Sequence, residues 1–212
     1  MAKLTWGAAG TRFFEAGADR GVLFLSGLAG VVWNGLIGVT ESPSGGEAKP
    51  FYQDGIKYVN LSSAEEFGAT LEAFSSPSEF ALCDGTKSIA NGLFATQQPR
   101  LAFGLCYRTK VGNDVDGMDH GYKLHLVYGC LAAPSARENK STAAELEPMA
   151  LSWEISTTPT VVTSAKPTAH ILIDSRLTAP ATLSDVEDIL YGTDLLEPRL
   201  PDVSELVALF SS

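Results

Sequence analysis

The chain has 212 residues, a net charge of −10 at pH 7 and 45% hydrophobic residues. That length suits one domain with an appendage, and the apolar share supports a sizeable core and excludes a disordered chain. The acidic balance argues against general nucleic-acid binding, which needs a basic footprint. The charge is also uneven, because residues 177–212 hold seven acids against the single base Arg199. The expected organisation is therefore a β domain over residues 1–176 and an acidic C-terminal extension with two short helices over 177–212.

The three cysteines, Cys83, Cys106 and Cys130, show no CxxC and no zinc-finger spacing. They are expected as small core hydrophobes in a reducing cytoplasm. A basic start and an early apolar core are missing, so no signal peptide is expected. From Gly21 to Thr40 twenty residues pass without a charge, enough to cross a bilayer. Five glycines and Asn34 weaken a helix there, and Glu41 follows where a membrane anchor would carry Lys or Arg. Two buried strands joined by a turn at Ser26–Gly30 fit better than a membrane span.

Further along, period-two alternation dominates. Leu101, Phe103, Leu105, Tyr107 and Thr109 alternate with smaller or polar residues. So do Tyr122, Leu124, Leu126, Tyr128 and Cys130, and Met149, Leu151, Trp153, Ile155 and Thr157. Weaker strands are expected at 31–41, 51–60, 67–75 and 169–174. Turn chemistry separates them at Pro43–Ser44–Gly45–Gly46, Asp54–Gly55, Asp84–Gly85 and Gly112–Asn113–Asp114. Many short strands with frequent turns point to a mainly β sandwich or barrel-like sheet. The segment 62–74 is expected as a short turn and then a strand, and the polar stretch 134–148 as a loop. Ser184, with Glu187 at the capping-box position, is expected to start a helix that Gly192 stops. A second helix is expected from Asp202 or Ser204 through Phe210, with Leu206, Val207 and Phe210 on one face.

The cluster Asp114, Asp116, Asp119 and His120 is the densest candidate for chemistry. An EF-hand with Gly117 as its sixth residue would begin at Gly112 and end at Lys123, where carboxylates are needed. Asp119 and His120 are adjacent on an extended chain and point to opposite faces, so they do not converge for acid–base work. His120, His125 and His170 share no metal-ligand spacing. GxSxG, HExxH, Walker and dinucleotide-binding motifs are missing, and in "SGGEAKP" (44–50) Pro50 stands where a phosphate loop needs Ser or Thr. Glu65 with Glu66, and Asp185, Glu187 and Asp188, read as solvated faces. The expectation is a non-enzyme with no cofactor, no metal and no catalytic residue. Two long hairpin tips, 42–50 and 110–121, are expected to serve contact, since ordering such tips costs entropy.

The segments "GTRFFEAGADRGVLF" (10–24), "WNGLIGVTESPSGGEAKPFYQDGIKY" (33–58), "AEEFGATLEAF" (64–74), "FGLCYRTKVGNDVDGMDHGYKLHLVYG" (103–129), "SWEISTTP" (152–159) and "DILYGTDLLEPRLPDVSELVALF" (188–210) resemble the major tail tube protein of long, non-contractile-tailed, siphovirus-type bacteriophages. The type is closest to phages of actinobacteria. The resemblance implies a β-sandwich with a flanking helix, related to the tubes of contractile systems and type VI secretion. It implies homohexameric rings in which four strands per subunit close a 24-stranded barrel. Rings stack around a tape-measure protein, meet tail-terminator and tail-tip proteins, and conduct phage DNA without binding it specifically. The location implied is the virion tail, with assembly in the host cytoplasm.

Within that picture, Ser42, Gly45, Gly46, Glu47, Asn113, Asp114, Asp116 and Asp119 are the candidates for ring-to-ring contact. Glu41, Asp54, Glu72 and Glu154 are the candidates for the channel wall, where acidic groups would repel DNA within a screening length of about 8 Å. Rival readings are a carbohydrate-binding β-sandwich with Trp33, Trp153 and the tyrosines as platforms, an enzyme built on Asp119 and His120, and a tail-end or decoration protein.

Overall fold

The computed structural model describes residues 4–139, 141, 148–163 and 165–211, so part of the expected loop (140 and 142–147) lies outside the described residues. The fold is mainly β with two C-terminal helices. In chain order the strands are β1 (Phe13–Leu25), β2 (Val31–Val32), β3 (Leu36–Glu41), β4 (Ser44–Gly45), β5 (Ala48–Gln53), β6 (Ile56–Ser62), β7 (Glu65–Glu66), β8 (Gly68–Ala73), β9 (Lys87–Ala90), β10 (Leu93–Ala95), β11 (Phe103–Asn113), β12 (Gly117–Ala132), β13 (Leu151–Thr157) and β14 (His170–Asp174). A 3₁₀ turn covers Ser78–Leu82, and the helices are α1 (Pro180–Tyr191) and α2 (Val203–Ser211). The uncharged run 21–40 forms the end of β1, the turn, β2 and most of β3. Among the described residues no helix is long and apolar enough to cross a membrane.

The main antiparallel sheet has the order β2-β1-β11-β12-β13-β8-β3, with β14 also on β12. β12 organises it. One edge of β12 carries β11, and the other is divided between β14, along Lys123–Val127, and β13, along Cys130–Ala132. Gly129 lies where the partner changes. Its φ is +59°, and a Cβ there would sit 2.7 Å from the Thr158 carbonyl oxygen, so only glycine fits without strain. The single alternation expected from Tyr122 to Cys130 breaks at this point. Leu124, Leu126 and Tyr128 face one core and Cys130 joins Val127 in the other.

Two cores result. In the first, the sheet folds back on itself, so that Leu23, Leu25, Leu105, Tyr107 and Val127 meet Leu71, Ala73, Trp153 and Ile155. Trp33, Phe80 and Trp153 form its centre, with ring centroids 4.7, 5.0 and 5.9 Å apart. Both indole N–H groups are satisfied: Trp33 donates to the Ser75 carbonyl at 2.8 Å and Trp153 to the Asp84 carboxylate at 3.1 Å. Each such side chain, fully buried, contributes roughly 1.5–3 kcal/mol or more. The carbohydrate-platform reading of Trp33 and Trp153 is thereby contradicted, because neither indole reaches solvent.

In the second core, Val22, Phe24, Cys106, Leu124, Leu126 and Ile173 on the opposite face pack beneath Val186 and Leu190 of α1 and Val203 and Leu206 of α2. Period two along β1 sends Val22 and Phe24 to the helices and Leu23 and Leu25 to the inner core. The C-terminal extension thus shares a core with the sheet. The three cysteines are buried and unpaired, and burial pushes each thiol up to about 12, so they stay neutral.

Several boundaries differ from expectation. α1 starts at Pro180, where a first-turn proline loses no helical hydrogen bond, and Ser184 lies inside it. Gly192 stops it as expected, at φ 78°. On α2 the inward residues are Val203 and Leu206, while Val207 and Phe210 stay 38% and 48% exposed. The expected strand 51–60 is a hairpin, β5–β6, turning at Asp54–Gly55. Both turn residues have positive φ, 51° and 76°, the combination a tight two-residue hairpin requires.

Candidate functional site

Residues 42–67 leave the body as an arm. At its root the Ser42 N–H donates to the Gly68 carbonyl at 2.8 Å, and β4 pairs with β7. Beyond the root, β5 and β6 pair only with each other, and every residue of both is exposed. The sequence of this hairpin is nevertheless that of a strand meant for burial. Phe51, Tyr52, Ile56, Tyr58, Val59 and Leu61 are 37–76% exposed. Phe51 stands opposite Val59, and Lys49 opposite Leu61, two residues along on the same face. Tyr52, next along from Phe51, projects from the other face, so apolar groups stand exposed on both sides of the ribbon, and exposed apolar surface of this kind marks an interaction site.

A second hairpin, β9–β10, also exposes apolar side chains, Ile89, Leu93 and Phe94. A third exposed apolar group, Phe13, Phe14 and Val115, lies at the outer end of β1 and the β11–β12 turn. Neither was anticipated from the sequence. Residues 87–95 alternate weakly and are too short for periodicity to register.

The candidate contact residues separate into two places. Ser42, Gly45, Gly46 and Glu47 lie at the root of the arm, where Gly45 pairs with Glu65 and the Gly46 N–H donates to the Ser63 hydroxyl at 3.2 Å. The expected tip 42–50 is therefore root and strand, and the true tip is Asp54–Gly55. The expected long tip 110–121 is mostly ladder: β11 runs to Asn113 and β12 resumes at Gly117. Asn113 is buried, and its Oδ1 accepts the N–H groups of Val115 and Asp116 at 3.0 and 2.5 Å. Asp114 accepts the N–H groups of Gly10 and Arg12 at 3.0 and 3.4 Å, tying down the N-terminal segment. His120 turns to Asp116 at 2.9 Å rather than to Asp119, and its bond together with that from Asn113 holds the Asp116 carboxyl below its usual range. Asn113, Asp114 and Asp116 thus shape the turn, and Asp119 remains an exposed side chain.

The channel candidates do not share one face. Glu72 on β8 and Glu154 on β13 project from the outer side of β13-β8-β3, away from the core residues Leu71, Ala73, Trp153 and Ile155. With them stand Gly38, Thr40, Thr70, Ser152 and Ser156, so the strands carry acids and small polar groups on this side and no base. Asp54 sits at the tip of the arm. Glu41 points the other way, inward.

There Glu41 meets a polar cluster at the end of the first core. Tyr107 O–H donates to Glu41 Oε1 at 2.9 Å, and His125 Nδ1 lies 3.4 Å from the same oxygen. His125 Nδ1 is 3.1 Å from His170 Nε2, and His125 Nε2 is 2.9 Å from Thr109 Oγ1. Tyr107 packs parallel to the His125 ring at 4.4 Å, and Phe67 packs on His170 at 4.6 Å. Burial holds His125 down to about 4, with His170 adding to the effect, and burial lowers His170 too, so both rings are neutral at pH 7. The spacing argument missed this pair because His170 reaches His125 across a ladder, where Val127 is its register partner. The legible signal was the placement of Tyr107, Thr109 and His125 on the inward face of adjacent strands. No protein-family model and no curated protein matches this chain.

Proposed function

We propose that this chain is a structural, non-enzymatic virion protein that polymerises as stacked hexameric rings into the tail tube of a long-tailed bacteriophage. The observation that carries the reading is the arm: a β-hairpin, wholly exposed, with six large apolar side chains and no partner for them in its own chain among the described residues. Water contact with those side chains is unfavourable by roughly 25 cal/mol per Å² of apolar surface, so a second copy that covers them is stabilised. A head-to-tail contact of this kind propagates into a filament until it is capped.

The two sides of the body support the same reading. Helices cover one face, and the β13-β8-β3 face is bare, polar and acidic. A wall of that kind does not bind phosphate by counterion release, so DNA can slide past it. In this account Glu72 and Glu154 line the channel and Glu41 and Asp54 do not. The tape-measure, terminator and tip proteins are the partners that the resemblance brings with it. Electron microscopy of the concentrated, purified chain is the test. Hollow rings or tubes are expected, and a dispersed monomer at every concentration would refute the proposal.

A further inference from the structure

We propose that Glu41, His125 and His170 form a binding site for one divalent transition-metal ion of the zinc type. The three donor atoms, Glu41 Oε1, His125 Nδ1 and His170 Nε2, lie within 4.8 Å of one another. They come from three strands, β3, β12 and β14. A tetrahedral ion with bonds of about 2.0–2.1 Å places its ligand atoms about 3.3 Å apart. His125 to His170, at 3.1 Å, and His125 to Glu41, at 3.4 Å, already match that separation. Only the Glu41–His170 side has to close, and the Glu41 side chain, 41% exposed, is free to move.

The neighbours supply what ligands of a metal need around them. Thr109 Oγ1 sits 2.9 Å from the far nitrogen of His125, where it can accept a hydrogen bond from a proton held on Nε2 and so leave Nδ1 free to present its lone pair to a metal. Tyr107 O–H donates to the Glu41 carboxylate and orients it without preventing that shift. Aromatic rings hold both imidazoles in place, Tyr107 on one and Phe67 on the other. In the bound form His170 carries its proton on Nδ1, which requires only the other neutral tautomer. Two imidazoles and one carboxylate favour zinc, cobalt, nickel or copper over magnesium or calcium. The groove beneath the arm, lined by Pro43, Phe67, Lys166 and His170, gives access, and a water completes the fourth position.

β12 and β14 are already paired along Lys123–Val127, so what the ion adds is a tie from the end of β3 to that pair. Glu41 is the last residue of β3, and the arm begins at Ser42, so the metal fastens the root of the arm to β12 and β14. That consequence rests on the tube reading; the site itself does not.

The test uses chain stripped with a chelator and titrated with Zn²⁺ by calorimetry and with Co²⁺ by visible absorption. One equivalent per chain and the intense bands of tetrahedral Co²⁺ are expected. His170→Ala and Glu41→Gln are each expected to weaken binding at least tenfold, and Thr109→Val about tenfold. His120→Ala, at the histidine beside the β11–β12 turn, should leave binding unchanged. No binding at millimolar zinc, or binding that survives His170→Ala, overturns the proposal. Because His170 is only half-buried, the result stands even if a His125 variant fails to fold. A chain that binds zinc and never forms tubes would leave the site standing and remove the tube reading, and a chain that forms tubes and binds no zinc would do the reverse.

Discussion

The body of the sheet and the arm are built from the same kinds of residue and reach opposite ends. In β11, Phe103, Leu105 and Tyr107 are at most 3% exposed. In β6, Ile56, Tyr58 and Leu61 are 57–76% exposed. Strand propensity is alike in both, and each strand has an antiparallel neighbour, β11 on both edges and β6 on one. The difference is a second layer. The body finds one in its own folded-back half and in its helices, whereas the arm has none among the described residues of its own chain. A marginal two-stranded ribbon with a large apolar surface is stable only when something packs on it.

Substitutions can break that comparison. The largest effect is expected from Trp153→Ala, which empties the centre of the first core and should cost about 3–5 kcal/mol in urea unfolding of the monomer. Leu190→Ala, beneath the helices, should cost about 2–5 kcal/mol. A near-zero value there would mean that α1 does not share the core. The double change Ile56→Ser with Tyr58→Ser should alter monomer stability by less than about 0.5 kcal/mol, because nothing is buried against these residues, yet it should abolish polymerisation as followed by sedimentation. A large loss of monomer stability in that variant would show that the arm folds onto its own body.

The smallest effect concerns the Asp19–Arg108 pair, joined by two bonds of 2.7 Å. Arg108 holds the Asp19 carboxyl below its ordinary value of 3.8. A lowered carboxylate stabilises the fold above the unfolded-state pKa, and that stability is lost as pH falls through the lower folded-state value. Thermal unfolding between about pH 5 and pH 2 should therefore show a slope that Arg108→Met reduces, by no more than about 1 kcal/mol for a pair this exposed.

The sheet was largely legible because alternation is local. β11, β13 and the Gly192 stop can be read without a partner strand. What resisted reading was long-range. The break at Gly129 needs β13 and β14 to compete for one edge, and nothing near residue 129 announces it. The arm was seen as turn signals and weak alternation, but its exposure could not be read, because Phe51 and Ile56 look the same whether they face a core or water. Glu41 is exposed, as a channel acid would be, yet two-residue periodicity from Val39, partly buried, puts it on the face opposite Glu72 and Glu154. The histidine cluster was hidden by the sequence separation of 45 between His125 and His170, which the β12–β14 ladder closes.

The central claim is that the β5–β6 arm is covered by another copy of the chain. Hydrogen–deuterium exchange of the arm amides, followed as protein concentration rises, tests it most directly. The account predicts fast exchange in the dilute monomer and strong protection in β5 and β6 once copies associate, with the body protected throughout. Arm amides that exchange at the dilute rate at every concentration, in a chain that associates or in one that never does, would contradict it.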